Sequence, residues 1–419
     1  MDVKKIAKKI KKKGLKGCFE SLEWHTANFI NKRFFYYYQK RQIIDKLIVF
    51  ESGGEITDNA YALYDYMGRN GYLEKYHVVW LVYEIARPRK EHKIQTLYPN
   101  TKIIWGKTSG VHREWDKCLA LCKWHIYDHT NWLEQYRKRD DQVIINLWHG
   151  CGFKAPKGGS QKKPLSPAQV NIITGLLYAQ VSTLVFNCKP KNLLDVGYPR
   201  NDYLFQNFGE RQNNFLKHLR LDKYIKVFLW MPTFRSSSVI SLDEQYFNSR
   251  TGLPIIETES QLDQFNNFLK SINSVCIFKV HHLQASLRPF QKSFSNIILL
   301  HDEDIQKYGL QLYQIVPMAD CLITDYSSIA NDFMLLDRPI IYTVDDYEEY
   351  KNSRGFIPED PIKYFAGECV KDYADFTKAI KHVAGGQDLY KEERKEVLPQ
   401  MHTHADGNSS KRIVEFLGL

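Results

Sequence analysis

The stretch "CLITDYSSIANDFMLLDRPIIY", residues 321–342, decides the fold. An apolar run ends at Asp325-Tyr326-Ser327-Ser328, an amphipathic helical pattern follows, and a second apolar run closes at Tyr342. Apolar runs alternating with helical patterns predict a parallel sheet covered on both faces. The handover from strand to two adjacent hydroxyls also raises a chemical question. The first backbone N–H groups of a helix lack internal partners, and the helix dipole is positive there. Such a place holds an anion well, phosphate above all. A simple helix cap at Ser327 is the alternative.

The same alternation extends along the chain. "DKLIVFES" (45–52), "YHVVWLVY" (76–83), "TKIIWG" (101–106), "HIYDH" (125–129) and "QVIINLWHG" (142–150) read as strands, with helices over 58–70 and 112–124. It resumes with "YIKVFLWMPTFR" (224–235), a helix over 259–271, "VCIFKVHH" (275–282), "NIILLHD" (296–302) and a helix over 308–318. A chain of 419 residues is long enough for two cores. The expected class is therefore α/β, with two Rossmann-like doubly wound parallel-sheet domains and a boundary in 205–222. The domains expected are 45–215 and 216–419, preceded by a separate segment 1–44, with the last helix packing back on the N-terminal domain.

Ligands of open parallel sheets sit beyond the carboxyl ends of the strands. The residues there are Glu51-Ser52-Gly53-Gly54, Trp148-His149-Gly150, Thr233-Phe234-Arg235, Lys279-Val280-His281-His282 and Asp325-Tyr326-Ser327-Ser328. A facing pair of domains with ligand between them is the expectation. His149, between an apolar strand and a glycine, is well placed as a general base; a structural histidine holding a turn is the alternative. Gly152, Lys154 and Gly158 suit a phosphate-rich partner. Lys279, His281 and His282 could neutralise charge on a transferring phosphoryl group, or form a solvated strand end. Arg235 suits bidentate contact with phosphate, or an interdomain salt bridge. "VGYPRND" (196–202) reads as a rigid turn whose Arg200 or Asp202 braces the cleft.

Composition narrows the class. Apolar residues make 43% and charged residues 25% of the chain, as in ordinary globular proteins. No run approaches the roughly 18–20 apolar residues needed to span a bilayer, and no secretory signal opens the chain, so a cytoplasmic location is expected. Cys18, Cys118, Cys122, Cys151, Cys188, Cys276, Cys321 and Cys369 include no CxxC pair, which predicts reduced, structural thiols and no metal. GxGxxG, GxxxxGK[ST] and HExxH are absent, which disfavours dehydrogenases, P-loop NTPases and zinc proteases.

The net charge of +10 is concentrated at one end. Residues 1–42 hold twelve Lys/Arg and three acids; the rest holds 46 basic against 45 acidic residues. Lysines around Val3, Ile6 and Ile10, followed by Phe19, Leu22, Trp24 and "KRFFYYYQKR" (32–41), suggest a segment that lies on an anionic membrane. A nucleic-acid arm and a solvated tail are the alternatives, and the aromatics favour the membrane.

Several of these pieces, in order, resemble the CDP-glycerol glycerophosphotransferase family, the teichoic-acid primases and polymerases. They are "FESGG…DN" (50–59), "WHGCGFK" (148–154), "GYPRND" (197–202), "PTFR" (232–235), "KVHH" (279–282), residues 319–342 and "DDYEEYKNSRGF" (345–356). His282 stands where the family usually has Pro, and Cys151-Gly152 replaces its commoner Thr-Pro. The resemblance implies a two-domain GT-B-like fold and transfer of glycerol phosphate, or a related polyol phosphate, from a CDP-activated donor. The acceptor would be a hydroxyl on a lipid-linked saccharide or polyol phosphate at the cytoplasmic membrane surface, with CMP released. CDP-glycerol or CDP-ribitol would be substrate, with no further cofactor, no metal and no nucleic acid; homo-oligomer formation stays open. His149 and His281 would be catalytic. Gly150, Lys154, Arg200, Asp202, Thr233, Arg235, Lys279, Thr324, Asp325, Ser327, Ser328 and Asp332 would bind substrate. Asp325 would either meet the polyol hydroxyls or orient its loop. A GT-B glycosyltransferase using a nucleotide sugar is the rival enzyme, and a non-catalytic membrane-binding or nucleic-acid-binding protein is the rival outside catalysis.

Overall fold

The computed structural model describes residues 3–84, 98–107, 110–129, 139–155, 168–233, 251–280 and 287–419, with side chains from residue 21 onward. Phe234, Arg235, His281, His282 and Gly158 lie outside the described residues.

Two parallel sheets carry the fold. The first has the order β3-β2-β1-β4-β5-β6-β7, formed by β1 (Ile44–Glu51), β2 (His77–Tyr83), β3 (Thr101–Gly106), β4 (Cys122–Tyr127), β5 (Val143–Asn146), β6 (Val170–Ile173) and β7 (Leu193–Asp195). The second has the order β10-β9-β8-β11-β12-β13, formed by β8 (Lys226–Met231), β9 (Ser274–Phe278), β10 (Ile297–Leu299), β11 (Cys321–Thr324), β12 (Ile340–Thr343) and β13 (Glu368–Val370). Both orders run outward in one direction from the first strand and then reverse. That is the doubly wound pattern, and its switch points lie between β1 and β4 and between β8 and β11.

The strands are continuous apolar runs because both faces are covered. Leu47 through Phe50, Val227 through Trp230 and all of β9 are buried. By contact density the chain divides into two compact units. The first holds residues 1–149, 164–171 and 417–419; the second holds 150–163 and 172–416. In the first unit, Val49, Val79, Leu81, Trp115 and Leu119 share one core. In the second, Trp230, Phe265, Phe278, Ile323 and Phe376 share another.

The described helices include α1 (Val3–Gln39), α2 (Asp58–Arg69), α3 (Arg113–Leu121), α4 (Glu259–Ser271), α5 (Ile329–Phe333) and α6 (Ser409–Leu417). Thr258 opens α4 with a reciprocal capping box to Gln261, which satisfies two end groups at once.

Four boundaries differ from expectation, each for a physical reason. The helix expected over 112–124 stops at Leu121, because Cys122 and Trp124 pair with Ile44 and Ile48 of β1, with a register shift between the two pairs. The helix expected over 308–318 is reduced to Leu312–Ile315 and a 3-10 turn, with Gly309 at φ 66° before it and Pro317 inside the turn. Residues 150–163 and 172–215, expected with the first domain, group with the second unit, and "GYPRND" is buried there. Finally, α1 runs unbroken through the segment expected to stand apart. Its Phe35 and Tyr38 join the first core, and Asn31 exchanges hydrogen bonds with Gly110 O (2.9 Å) and His112 N (2.8 Å).

Candidate functional site

The second sheet brings three strand ends together at its switch point. Thr324, the last residue of β11, pairs with Met231 of β8, and Lys279 N donates to Trp230 O at 2.9 Å. The Asp325 carboxylate accepts from Thr233 N (2.9 Å) and Thr233 Oγ1 (2.6 Å). Thr233 Oγ1 in turn accepts from Lys154 Nζ at 3.0 Å. Asp325 is buried, and these bonds hold the ends of β8 and β11 together.

The glycines after His149 pack against the DYSS turn. Gly150 has φ 142°, and a Cβ there would lie 2.4 Å from Ser328 Oγ and 3.1 Å from Arg200 Nη2. A Cβ on Gly152 would touch Ser328 Cβ at 3.5 Å. Only glycine permits this approach at Gly150. Asn331 Nδ2 donates to Cys151 O at 2.8 Å and ties the glycine loop to the turn. Ser327 and Ser328 are half-buried at the start of α5. That helix has only five residues, so its macrodipole is small; a cradle here depends on hydroxyls and local N–H groups rather than on a long helix.

Several other expected site residues are held by the fold itself. Asp332 accepts from Arg200 Nη2 (2.9 Å), Asn201 Nδ2 (3.0 Å) and Tyr313 OH (2.6 Å), all buried. The Arg200 guanidinium also lies 4.4 Å from the Tyr313 ring centroid. The two Asp202 oxygens accept from Ser409 N and Ser410 N, each at 2.8 Å, and so cap α6. Burial raises its carboxyl above the usual range, opposed by the Ser410 and Ser409 hydrogen bonds. Thr324 Oγ1 donates to Met231 O at 2.6 Å. Arg200, Asp202, Thr324 and Asp332 are thus each held by hydrogen bonds within the second unit. Lys279 is ion-paired with Asp302 at 3.1 Å.

His149 belongs to a different cluster, inside the first unit at the carboxyl ends of β4 and β5. Strand β5 ends early because Trp148 turns the chain at φ 56°, a strained value for a tryptophan. Two asparagines hold that turn: Asn146 Oδ1 accepts from Trp148 N (3.0 Å), and Asn59 Nδ2 donates to Trp148 O (2.7 Å). His149 Nδ1 lies 3.0 Å from the Asp128 backbone carbonyl, which only accepts. The neutral ring therefore carries its hydrogen on Nδ1 and its lone pair on Nε2.

Sequence reasoning missed Asp128 and His129. The Asp128 side chain, fully buried, contacts His129 Nδ1 at 2.6 Å and accepts from Ala60 N, at the start of α2, at 2.8 Å. The His129 ring stacks on His149 with centroids 4.3 Å apart and planes at 15°. Burial pushes the Asp128 carboxyl up to about 6, opposed by its bond to His129. The signal was present: "YDH" ends a strand that pairs with β1, across the switch point of the first sheet.

A family profile described as CDP-Glycerol:Poly(glycerophosphate) glycerophosphotransferase matches residues 33–418. The chain is 26% identical over 406 residues to the teichoic acid poly(glycerol phosphate) polymerase of Bacillus spizizenii, covering 89% of this chain and 92% of that protein. It is 28% identical over 320 residues to the teichoic acid ribitol-phosphate primase of the same organism, covering 71% and 75%. The solved structure of the wall teichoic acid polymerase TagF superposes with a TM-score of 0.73 at 20% identity, over 95% of this chain and 96% of that one. The α/β, GT-B-like fold expected from the sequence is the fold found.

Proposed function

Because the chain belongs to the CDP-glycerol:poly(glycerophosphate) glycerophosphotransferase family, and is by that membership a phosphotransferase, we propose that it moves glycerol phosphate or ribitol phosphate from a CDP-polyol to the hydroxyl of a lipid-linked acceptor in teichoic acid synthesis. The observation that carries the reading is the seat of Gly150 and Gly152 on Ser328, beside Lys154 and Thr233. Two glycines, two hydroxyls and an ammonium suit an anionic diphosphate, which needs close backbone approach and donors rather than acceptors.

In the reaction, the acceptor hydroxyl oxygen forms a bond to the phosphorus that bears the polyol. The bond from that phosphorus to the bridging oxygen breaks, and CMP leaves with the electron pair. The hydroxyl proton goes to Nε2 of His149, which the Asp128 carbonyl fixes in the accepting tautomer. His149 is joined by one peptide bond to Gly150, so base and donor seat are consecutive in the chain. Ser327, Ser328 and Lys154 hold the diphosphate, and Arg235 and His281 add positive charge or proton transfer. Lys279 joins them only on release from Asp302.

The +9 N-terminal segment supports an anionic membrane surface as the place of work, which a lipid-linked acceptor requires. No helix among the described residues is long and apolar enough to cross a membrane. Mass analysis of products formed from a lipid-linked disaccharide offered CDP-glycerol, CDP-ribitol or a nucleotide sugar tests the assignment. An acceptor enlarged by one or more polyol phosphates is expected. Enlargement by a sugar from a nucleotide sugar, with no polyol phosphate transferred, would instead support the glycosyltransferase reading.

A further inference from the structure

We infer that His129 and Asp128 form a charge-holding pair that keeps the proposed base, His149, neutral and oriented; the inference rests on the reading of His149 given above. Asp128 grips both imidazoles at once. Its carboxylate contacts His129 Nδ1 at 2.6 Å, and its backbone carbonyl accepts from His149 Nδ1 at 3.0 Å. The two rings are stacked nearly parallel at 4.3 Å. Two imidazolium rings at that separation repel, so the stack accommodates one positive charge far more readily than two. His129 Nδ1 faces the Asp128 carboxylate, whereas His149 Nδ1 faces the Asp128 backbone carbonyl. The positive charge therefore resides on His129, and His149 is left as the neutral ring with its lone pair on Nε2.

The surrounding groups agree with this division. Asp128 is fully buried and held by Ala60 N at the start of α2, so it cannot turn away from His129. Asp58, at the same helix start, adds negative charge that acts on Asp128. Glu51 of β1 is engaged with His125 of β4 at 3.2 Å, both buried. Gly53, two residues past β1, lies against His129, where an added Cβ would lie 3.5 Å from the ring. The tryptophan before His149 packs on its ring at 4.1 Å and brings no charge. His129 acts through His149 and is thus a positioning residue.

The test is His129→Phe, which keeps a stacked ring and removes the charge. Two readouts are taken on the full-length protein: the NMR titration of the His149 ring, and the pH profile of CMP release from CDP-glycerol. The inference predicts that the His149 midpoint rises by about one pH unit, and that the acid limb of the rate profile moves up with it. A raised midpoint with an unmoved rate profile supports the pair and overturns the assignment of His149 as base. An unmoved His149 midpoint overturns the pair, whatever the rate does. If His129→Phe does not fold, the native protein decides: separate midpoints with His129 the higher support the inference, and His149 the higher, or equal midpoints, overturn it.

Discussion

At the scale of single residues, buried carboxylates divide the work. Asp332 is satisfied by three buried donors, so Asp332→Ala strands a guanidinium, an amide and a phenol. A loss of about 3–5 kcal/mol is expected in denaturant unfolding, larger than any effect on donor affinity in the protein that remains folded. Asp128 behaves differently. Its folded carboxyl titrates near 6 rather than its ordinary 3.8, because burial disfavours the charge. The folded state therefore holds that proton more tightly than the unfolded chain does. The stabilisation is full below pH 3.8 and is lost as pH rises through about 6. Urea melts of Asp128→Asn should show a smaller fall in stability between pH 4 and 7 than the native protein; an equal or larger fall would remove the raised titration. The sequence does not reveal the full set of partners of either carboxylate, because some of them are remote. Asp332 meets Asn201 across 131 positions, and Asp128 meets Ala60 across 68. Sequence pattern reports which residues end a strand, not which distant donors reach them.

At the scale of elements, the strand–turn–helix of 321–342 is legible because its apolar runs and turn residues agree with one another. Its chemistry is legible only in part. The pattern offers Ser327 and Ser328 either as an anion seat or as a helix cap, and a five-residue helix lends them little dipole. The glycine loop that closes on Ser328 becomes visible only in three dimensions. Gly150→Ala would push a Cβ into Ser328 and cannot hold φ 142° without strain. It should weaken CDP-glycerol binding about tenfold or more in calorimetry, as should Ser327→Ala with Ser328→Ala. Unchanged affinity in both variants would remove the seat. Asp202→Ala leaves two N–H groups of α6 without their acceptor. About 1–2 kcal/mol of stability should be lost, read as a lowered thermal midpoint with donor affinity retained.

At the scale of the whole molecule, the two sheets follow from strand alternation, and their switch points carry both clusters. The N-terminal segment is less legible. Charge marks it as distinct, yet the aromatics of "FFYYY" serve two purposes: Phe35 and Tyr38 are core, while Tyr37 is more than half exposed, as are Leu22 and Phe29 farther up α1. A deletion of 1–42 would thus destroy part of the first unit. Removal of residues 1–20 alone should leave the fold intact and reduce co-sedimentation with anionic vesicles several-fold, with little effect on neutral ones. Equal sedimentation of truncated and full-length protein would contradict the membrane role.

The most direct test of the whole account compares nucleotide release by the native protein and by His149→Ala, offered CDP-glycerol or a UDP-sugar with a lipid-linked acceptor. The account predicts CMP from CDP-glycerol, no UDP from the sugar nucleotide, and roughly a hundredfold or greater loss of CMP release in the variant at unchanged donor affinity. UDP release by the native protein without CMP release, or a fully active His149→Ala, would contradict it.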